Sequence, residues 1–276
     1  MRRRAGQVVC ERQRDGGARA VHGFRYWMRL IAALAGALMN VEAAAADERV
    51  DALRRQMVDE IAAIARSTAS DTGRAAFSDR VMAAMGKVER HRFVPAAVAN
   101  QAYRDSPLPI GNGQTISQPY IVALSTDLID PKPDHVVLEV GTGSGYQAAV
   151  LAELVKNVYS IEIVEALGRE AAQRLANLGY RNVEVRIGDG YKGWPEKAPF
   201  DAIIVTAAAP LVPAPLVEQL KPGGRMVIPV DAGMLHQNLL LVEKQADGTT
   251  SSRIVLRVRF VPLTGPGVKK GAAGRK

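Results

Sequence analysis

The chain has 276 residues, a single cysteine, four scattered histidines and a formal net charge of +8. One cysteine excludes an intrachain disulfide and a cysteine metal centre, and the histidines lack the helical spacing of a zinc site. Residues 1–30 carry +6 and residues 266–276 carry +4, which leaves −2 for the rest of the chain. Because the body is nearly neutral, the charge does not indicate a surface that binds nucleic acid.

The first 48 residues are predicted to be an extension that is disordered or processed. Residues 1–29 have no helical or strand period, which indicates disorder or upstream sequence that is not translated. The apolar run LIAALAGALM at 30–39 is too short to span a bilayer. Together with Arg29 and the alanines at 43–46, it is typical of a secretory signal, above all if translation starts at Met28. The alternative is an N-terminal helix that is amphipathic or buried.

A helical region is predicted after this extension. Apolar residues recur at helical spacing from Val50 to Arg66, and a second helix is predicted over 78–88. The segment VERHRFVP, 88–95, is predicted to end a helix at its proline, and the Pro/Gly-rich stretch 103–114 is predicted to be a loop. A further helix is expected over 119–129, with proline in its first turn.

The second half of the chain alternates between predicted strands and helices. The strands are predicted at 136–140, 158–163, 183–187, 200–208 and 224–230, and the helices up to 154, over 164–179 and over 211–220. Apolar strands that alternate with helices indicate a mostly parallel sheet covered on both faces. After Val230, the segments LLLVEK and SSRIVLRVRFVPL predict antiparallel strands. The expected fold class is therefore α/β, a doubly wound sheet with antiparallel C-terminal strands and an N-terminal helical region.

A glycine-rich turn, VLEVGTGSG at 137–145, follows the first predicted strand of the sheet and precedes a helix. Such a turn brings the backbone against a ligand at a helix N-terminus, although many nucleotide-binding folds use it. The glycines are Gly141, Gly143 and Gly145, and Tyr146 stands where the dinucleotide fingerprint requires a further glycine. The chain also lacks the glycine–lysine phosphate loop, so the turn does not point to a phosphate-bearing ligand.

Three acids lie at successive strand ends. Glu139 lies just before the glycine turn, where a carboxylate suits an ammonium group and disfavours a pyrophosphate. Glu162 ends the second strand, where an acid can accept hydrogen bonds from ribose hydroxyls, and Asp189 can accept from an adenine amino group. A ligand with ammonium, ribose and adenine but no phosphate is S-adenosyl-L-methionine. The alternative, solvated strand-end acids, is plausible for one of them but less so for three.

The chain resembles the bacterial protein-L-isoaspartate O-methyltransferases over about residues 50–265. The resemblance depends on VERHRFVP, YRDSPLPIGNGQTISQPYIVAL, VLEVGTGSGYQAAVLAEL, GDGYKGWPEKAPFDAIIVTAAAP, LKPGGRMVIPV and RFVPLTG, of which PLPIGNGQTISQP is the most specific. Two features depart from the family: Asp231 stands where a glycine is usual, and residues before 48 have no counterpart in its short members.

The resemblance implies a Rossmann-like class I methyltransferase fold and methyl transfer from S-adenosyl-L-methionine to the free carboxylate of L-isoaspartyl residues in damaged proteins. In some members D-aspartyl residues are also substrates. The cofactor contacts that it implies are Gly141, Gly143, Glu162, Asp189 and Gly190, with Thr115 and Gln118 close to a cofactor lid. It also implies, more weakly, that Val261 and Thr264 lie on the substrate side, and their alternative is an edge-strand position without catalytic contact.

Ser117, in GQTISQPYIVAL, matches the serine that the family treats as its active-site residue. A covalent role is not expected, because the attacking carboxylate is already ionised at pH 7, with an ordinary pKa of about 4. The expected role is a hydrogen bond that orients this carboxylate. The alternative is that Ser117 caps the helix that contains Pro119.

The sequence thus predicts a methyltransferase domain at 49–265, made of a helical substrate and lid region, 49–130, and a cofactor-binding sheet, 131–265, followed by a basic tail, 266–276. We expect a cytoplasmic monomer that acts on isoaspartyl peptides and proteins, with no metal, no nucleic-acid partner and no stable membrane association. Export is the alternative location if residues 28–46 act as a signal peptide. The alternative functions are methylation of a small molecule or nucleic acid, and cofactor binding without catalysis.

Overall fold

The structure, a computed structural model, describes residues 47–233 and 236–266. By contacts the chain divides into two units, 1–52 and 53–276. Of the first unit only residues 47–52 are described, and they are helical. The predicted disordered segment, the signal-like run and nearly all of the basic tail lie outside the described residues.

The N-terminal helices agree with the sequence pattern. Helix α1 comprises residues 47–67 of the described chain, α2 is Ala69–Thr72 and α3 is Asp79–Lys87. The buried positions Met57 and Ile61 have no exposed surface, as the predicted helical spacing requires. The helices predicted over 50–66 and 78–88 are confirmed.

Two predictions between α3 and the sheet are wrong. The segment 88–95 does not end a helix, because it forms a 3₁₀ turn, Arg90–Phe93, and Pro95 precedes a second 3₁₀ turn, Ala96–Gln101. The predicted loop contains an antiparallel hairpin of β1, Leu108–Gly111, and β2, Gln114–Ile116. Its turn residues Asn112 and Gly113 have φ of 52° and 71°, the left-handed pair that a two-residue hairpin favours.

The fold class is confirmed by a seven-stranded sheet in the order β5-β4-β3-β6-β7-β8-β9. Its strands are β3 Val136–Val140, β4 Asn157–Glu162, β5 Val183–Ile187, β6 Phe200–Val205, β7 Leu220–Asp231, β8 Gln237–Lys244 and β9 Thr250–Val258. Strands β3 to β7 pair in parallel, and β8 and β9 add antiparallel pairs, as expected.

The remaining helices connect these strands. They are α4 Pro119–Leu128, α5 Tyr146–Ala152, α6 Glu165–Asn177 and α7 Ala214–Glu218, and short 3₁₀ turns occupy Gly190–Lys192 and Pro195–Lys197. The helix predicted over 211–220 has only five residues, because Pro213 precedes it and Leu220 already belongs to β7. Proline is the first residue of α4, as predicted.

The topology predicts a ligand-binding cleft at the carboxyl ends of the central strands. Strand β3 is the first strand of this sheet in the chain, and it lies between β4 and β6. The direction in which strands are added therefore reverses beside β3. In open α/β sheets, ligands bind at this switch point, outside the carboxyl ends of the strands.

Candidate active site

The glycine turn after β3 needs its glycines for backbone conformation and for close packing. Gly141, Gly143 and Gly145 have φ of 98°, 53° and 89°, a region that other residues rarely adopt. A Cβ on Gly141 would lie 2.3 Å from Oγ1 of Thr206, whose hydroxyl donates to the Gly141 carbonyl at 2.6 Å. The close approach fixes the end of β3 against the end of β6, and it leaves the turn facing the cleft.

A first cleft of about 760 Å³, open to solvent, lies beside this turn. We call it the acidic cleft, because its lining includes the carboxyl groups of Glu139 and Glu162 and, among the described residues, no lysine, arginine or histidine. Most of the predicted site residues line it together: Thr115, Ser117, Glu139, Gly141, Gly143, Glu162, Gly190, Val261 and Thr264. Gln118 and Asp189 do not.

Glu139 contributes a buried carboxyl group to this cleft. Its side chain is fully buried, and one carboxyl oxygen accepts a hydrogen bond from the Ser160 hydroxyl. Ser160 is in turn 2.6 Å from the hydroxyl of Thr142. The other carboxyl oxygen of Glu139 has no hydrogen-bond partner among the described residues. Burial raises the pKa of Glu139 to about 8, so the group is largely protonated at neutral pH without a ligand.

Glu162 ties the end of β4 to the glycine turn. Its two carboxyl oxygens accept from the backbone N–H groups of Gly143, at 2.8 Å, and Val164, at 2.9 Å. Gly168 of α6 allows this arrangement, since a Cβ there would lie 3.2 Å from the Cβ of Glu162. The carboxylate is 6% exposed and lines the cleft, which places an acceptor group where the sequence predicts one.

Asp189 and Gly190 take different places after β5. Gly190 lines the cleft, and a Cβ there would lie 2.4 Å from Cγ1 of Val140. Asp189 does not line the cleft, and its carboxylate accepts from the backbone N–H of Tyr191 at 3.0 Å, as the cap of a 3₁₀ turn. Its contact with an adenine group stays a prediction.

Ser117 lies between β2 and α4, and it does not cap the helix. The N-cap residue of α4 is Gln118, and its side chain makes no capping bond. Asp105 accepts from the backbone N–H of Tyr120 at 2.7 Å instead, so the capping alternative for Ser117 is wrong. The hydroxyl of Ser117 is half-buried, and we find no hydrogen bond from it to any described residue.

A second cleft of about 1390 Å³ meets the first at Ser117. The two share Thr115, Ser117, Thr206 and Val261. We call the second one the basic cleft, because its lining includes three basic residues and, within the described part of the chain, no aspartate or glutamate. The basic residues are His236, Arg257 and Arg259, and Gln118 also lines this cleft.

The sequence prediction missed two residues that build the site. Thr206 follows β6. Ligands bind outside the carboxyl ends of parallel strands, so its position directly after a strand could have identified it. Asp105 lies in the segment YRDSP, and its carboxylate accepts from the side-chain amide of Gln118 and the backbone N–H of Tyr120, which are 13 and 15 positions away. No local pattern indicates such a contact, because it depends on how the hairpin β1–β2 folds back.

The structure describes the ranges 47–233 and 236–266. Within them, no three histidine, cysteine, aspartate or glutamate side chains come close enough together to hold a metal ion. None of the helices found there combines the length and the apolar character that crossing a membrane requires.

The acidic cleft fits a cationic cofactor that lacks phosphate. Glu139 offers an unpartnered buried carboxyl oxygen, and Glu162 offers a carboxylate that already accepts from the backbone. Gly141 and Gly190 leave no side chain between the strand ends and the cleft. An anionic phosphate would meet two acids and no described basic side chain, so the chemistry of the lining favours S-adenosyl-L-methionine over a nucleotide.

Comparisons with known proteins agree with this chemistry. The sequence profile of the protein-L-isoaspartate(D-aspartate) O-methyltransferase family matches residues 69–267. The chain is 64% identical over 209 residues to protein-L-isoaspartate O-methyltransferase 2 of Polaromonas sp. strain JS666, which covers 76% of this chain and 99% of the relative. It is 61% identical over 236 residues to protein-L-isoaspartate O-methyltransferase 1 of Cupriavidus necator, covering 86% and 91% of the two chains.

Solved structures show the same fold. A protein-L-isoaspartate O-methyltransferase matches with a TM-score of 0.68 and 28% identity, over 78% of this chain and 67% of that one. A Plasmodium falciparum protein described as a putative protein-L-isoaspartate O-methyltransferase, in complex with S-adenosyl-L-homocysteine, matches with a TM-score of 0.60 and 28% identity, over 68% and 91%. The resemblance and the class I methyltransferase fold are confirmed, and the chain belongs to the protein-L-isoaspartate O-methyltransferase family.

Proposed function

We infer that this protein transfers a methyl group from S-adenosyl-L-methionine to the free carboxylate of L-isoaspartyl residues in damaged proteins, and so begins their repair. The observation that carries this function is the position of Ser117, at the junction of an acidic and a basic cleft. The acidic cleft suits a cationic methyl donor, and the basic cleft suits an anionic acceptor. Family membership supports the same reaction.

The acidic cleft holds the cofactor in this proposal. Glu139 receives the ammonium group at its free carboxyl oxygen, Glu162 accepts from the ribose hydroxyls, and Asp189 accepts from the adenine amino group. The glycine turn supplies backbone N–H groups and room, and Thr115 and Gln118 belong to the segment that covers the site. When bound, S-adenosyl-L-methionine supplies an electrophilic methyl group on a sulfonium centre.

The protein itself needs to do little acid–base chemistry. The attacking carboxylate has an ordinary pKa of about 4, so it is already ionised and needs no general base. Ser117 donates a hydrogen bond to one of its oxygens and leaves the other directed at the methyl group. Its hydroxyl is available for this, because no described residue accepts it. Such positioning can lower a barrier by several kcal/mol.

The substrate side of the site is formed by the basic cleft. An isoaspartyl residue continues the chain through its side-chain carboxyl and leaves a free carboxylate beside the backbone. In the proposal Val261 contacts the peptide where the two clefts join, and Thr264 lies nearby in the lining of the acidic cleft. Arg257 and Arg259 provide positive charge along the path of the peptide.

Several finer points belong to the same proposal. Activity on D-aspartyl residues is proposed because the carboxylate can reach the same place from that configuration. A cytoplasmic location is proposed because the methyl donor is made in the cytosol, and a monomer because one chain contains the whole site. The nearly neutral body supports a protein substrate and not a nucleic acid. The proposed division is an extension, 1–48, the methyltransferase domain, 49–265, and a tail, 266–276.

The direct test uses methyl-labelled cofactor and a pair of peptides that differ only in an isoaspartyl or a normal aspartyl residue. We expect label in the isoaspartyl peptide alone, released as methanol when the ester collapses to the succinimide. Label in both peptides would indicate a general carboxyl methyltransferase, and label in neither would overturn the proposed function. If neither peptide is labelled, binding of S-adenosyl-L-homocysteine, measured separately, would identify a non-catalytic cofactor-binding module.

A further inference from the structure

Residues 116–120, which we call the Ser117 corner, connect β2 to α4. Their shape is held from outside by Asp105. One carboxylate oxygen accepts from the backbone N–H of Tyr120 at 2.7 Å, and the other accepts from the side-chain amide of Gln118 at 2.5 Å. The two donor residues, Gln118 and Tyr120, follow Ser117 by one and three positions. A carboxylate at the first turn of a ten-residue helix is also favoured by the helix dipole.

The loop that carries Asp105 is held in turn by Arg90, which is fully buried. Its Nε donates to the carbonyl of Ala102 at 2.8 Å, and Nη2 donates to the carbonyl of Ser106 at 3.4 Å. These two carbonyls flank Asp105. Burial lowers the pKa of Arg90, whereas Tyr146 and Asp105 oppose that shift. A buried cation is unfavourable unless it is hydrogen-bonded, so Arg90 favours the loop conformation in which these two carbonyls accept its bonds.

Arg90 also contacts a residue that lines the acidic cleft. Its guanidinium carbon lies 4.8 Å from the ring centre of Tyr146, the first residue of α5, and Tyr146 lines that cleft. A continuous set of contacts therefore leads from the cofactor side, through Tyr146 and Arg90, to Asp105 and the Ser117 corner. The Ser117 hydroxyl itself has no bond to a described residue that could fix it, so the backbone of the corner determines where it lies.

We propose that Asp105 is a positioning residue for methyl transfer: its two bonds set the place of the Ser117 hydroxyl relative to the acceptor carboxylate, and Arg90 fixes the loop that presents it. The proposal rests on the proposed function of Ser117. Asp105 lies in the lining of neither cleft, so it acts through the corner and not on the reactants. A small displacement of the orienting group lowers the rate strongly, since about 1 Å can reduce it about 100-fold.

The test begins with Asp105→Ala, assayed with the isoaspartyl peptide. We expect kcat to fall about 10- to 100-fold, while the Kd for S-adenosyl-L-homocysteine, measured by calorimetry, stays within about two-fold of the wild-type value. Asp105→Asn keeps an oxygen for the Tyr120 N–H, so it should recover most of the lost kcat. It also provides a well-folded variant if the alanine protein proves unstable. Recovery of the melting temperature without recovery of kcat would overturn the proposal.

A matched control is available in the same chain. Asp127 accepts from the backbone N–H of Ser78 at 2.8 Å, just before α3, so it also supports a helix start from a distant position. Asp127→Ala should lower the melting temperature and leave kcat within about two-fold of wild type. If it lowers kcat as much as Asp105→Ala does, the effect of Asp105 is one of general stability and the proposal fails.

A double-mutant cycle decides whether Asp105 acts through Ser117. In a Ser117→Ala background, Asp105→Ala should lower kcat by no more than about two-fold, because the group that it positions is gone. Equal losses in both backgrounds would overturn the proposal. Failure of the proposed function is a different result, since the wild-type protein would then not methylate the isoaspartyl peptide at all.

Discussion

The two clefts that meet at Ser117 differ in charge and in exposure. The acidic cleft is lined by strand ends and by Glu139 and Glu162, which are 0% and 6% exposed. The basic cleft is lined by Arg257 and Arg259, which are exposed and lie at the end of β9 and just after it. Buried groups with fixed partners suit one invariant ligand, whereas exposed charges suit peptides of varied sequence. We therefore expect cofactor binding to depend on preorganised contacts and substrate binding on weaker ones.

The largest effect is expected at the junction itself. Ser117→Ala removes the only group in our mechanism that orients the acceptor, and kcat should fall about 100-fold or more. The Kd for S-adenosyl-L-homocysteine should stay within about two-fold, because the acidic cleft is unchanged. Ser125→Ala, a buried hydroxyl of α4 that lines neither cleft, is the matched control and should keep near wild-type turnover. Unchanged turnover in Ser117→Ala would show that the Ser117 hydroxyl does not orient the acceptor carboxylate.

The next effect concerns the preorganised contacts of the acidic cleft. Glu162→Ala removes the acceptor for two backbone N–H groups and for the proposed ribose contact, so cofactor affinity should fall about 10- to 100-fold. Calorimetry with S-adenosyl-L-homocysteine measures this loss directly. Glu165→Ala, at the exposed start of α6, is the control and should bind as wild type does. If both variants bind alike, Glu162 does not contact the cofactor.

The contrast between the clefts also separates what the sequence can and cannot predict. The sheet and the glycine turn are readable, because apolar strands and positive φ demand particular residue types over a few positions. The hairpin turn at Asn112 and Gly113 was readable too, since the pair is typical of a two-residue turn, yet the surrounding prolines and glycines favoured a loop. The fold and the acidic cleft can therefore be predicted largely from local sequence patterns.

The Ser117 corner and the basic cleft depend on long-range packing. Whether Ser117 caps α4 is decided by Asp105, which lies 15 positions from Tyr120 and is placed by the hairpin between them. The arginines of the basic cleft come from β9 and the residue just after it, whereas Thr68 and Gln118 on the same cleft come from the N-terminal part. No periodicity joins segments that far apart, so the sequence alone could not predict the basic cleft, which we propose as the acceptor side.

The buried carboxyl group of Glu139 in the acidic cleft predicts a pH-dependent stability. In the unfolded chain a glutamate loses its proton near pH 4.3, whereas burial raises the pKa of Glu139 to about 8. Between these values the folded protein binds more protons than the unfolded one, so the stability that this group contributes falls as the pH rises. Glu139→Gln cannot ionise and should escape this loss.

The free energy of unfolding in urea, measured at pH 5 and pH 8.5, tests this expectation. From the lower to the higher pH, the difference between variant and wild type should shift in favour of Glu139→Gln by about 4 kcal/mol. Other titrating groups cancel in the difference. Glu60→Gln, at an exposed position of α1, should show no such shift. A constant difference for Glu139→Gln would mean that the carboxyl group is ionised in the free protein.

The smallest effect is expected from the exposed charges of the basic cleft. Surface charges contribute little individually and are screened by salt. The double variant Arg257→Gln, Arg259→Gln should lower kcat/KM about three- to ten-fold for isoaspartyl peptides flanked by acidic residues, and less for peptides flanked by lysine. The effect should shrink as NaCl rises from about 0.02 M to 0.5 M, because salt screens the attraction between each arginine and the acidic residues of the peptide. Arg253→Gln, on the same strand but outside the lining of both clefts, is the matched control. An equal loss for acidic and basic peptides would show that the arginines shape the cleft without reading charge, and the electrostatic contrast between the clefts would then hold only on the cofactor side.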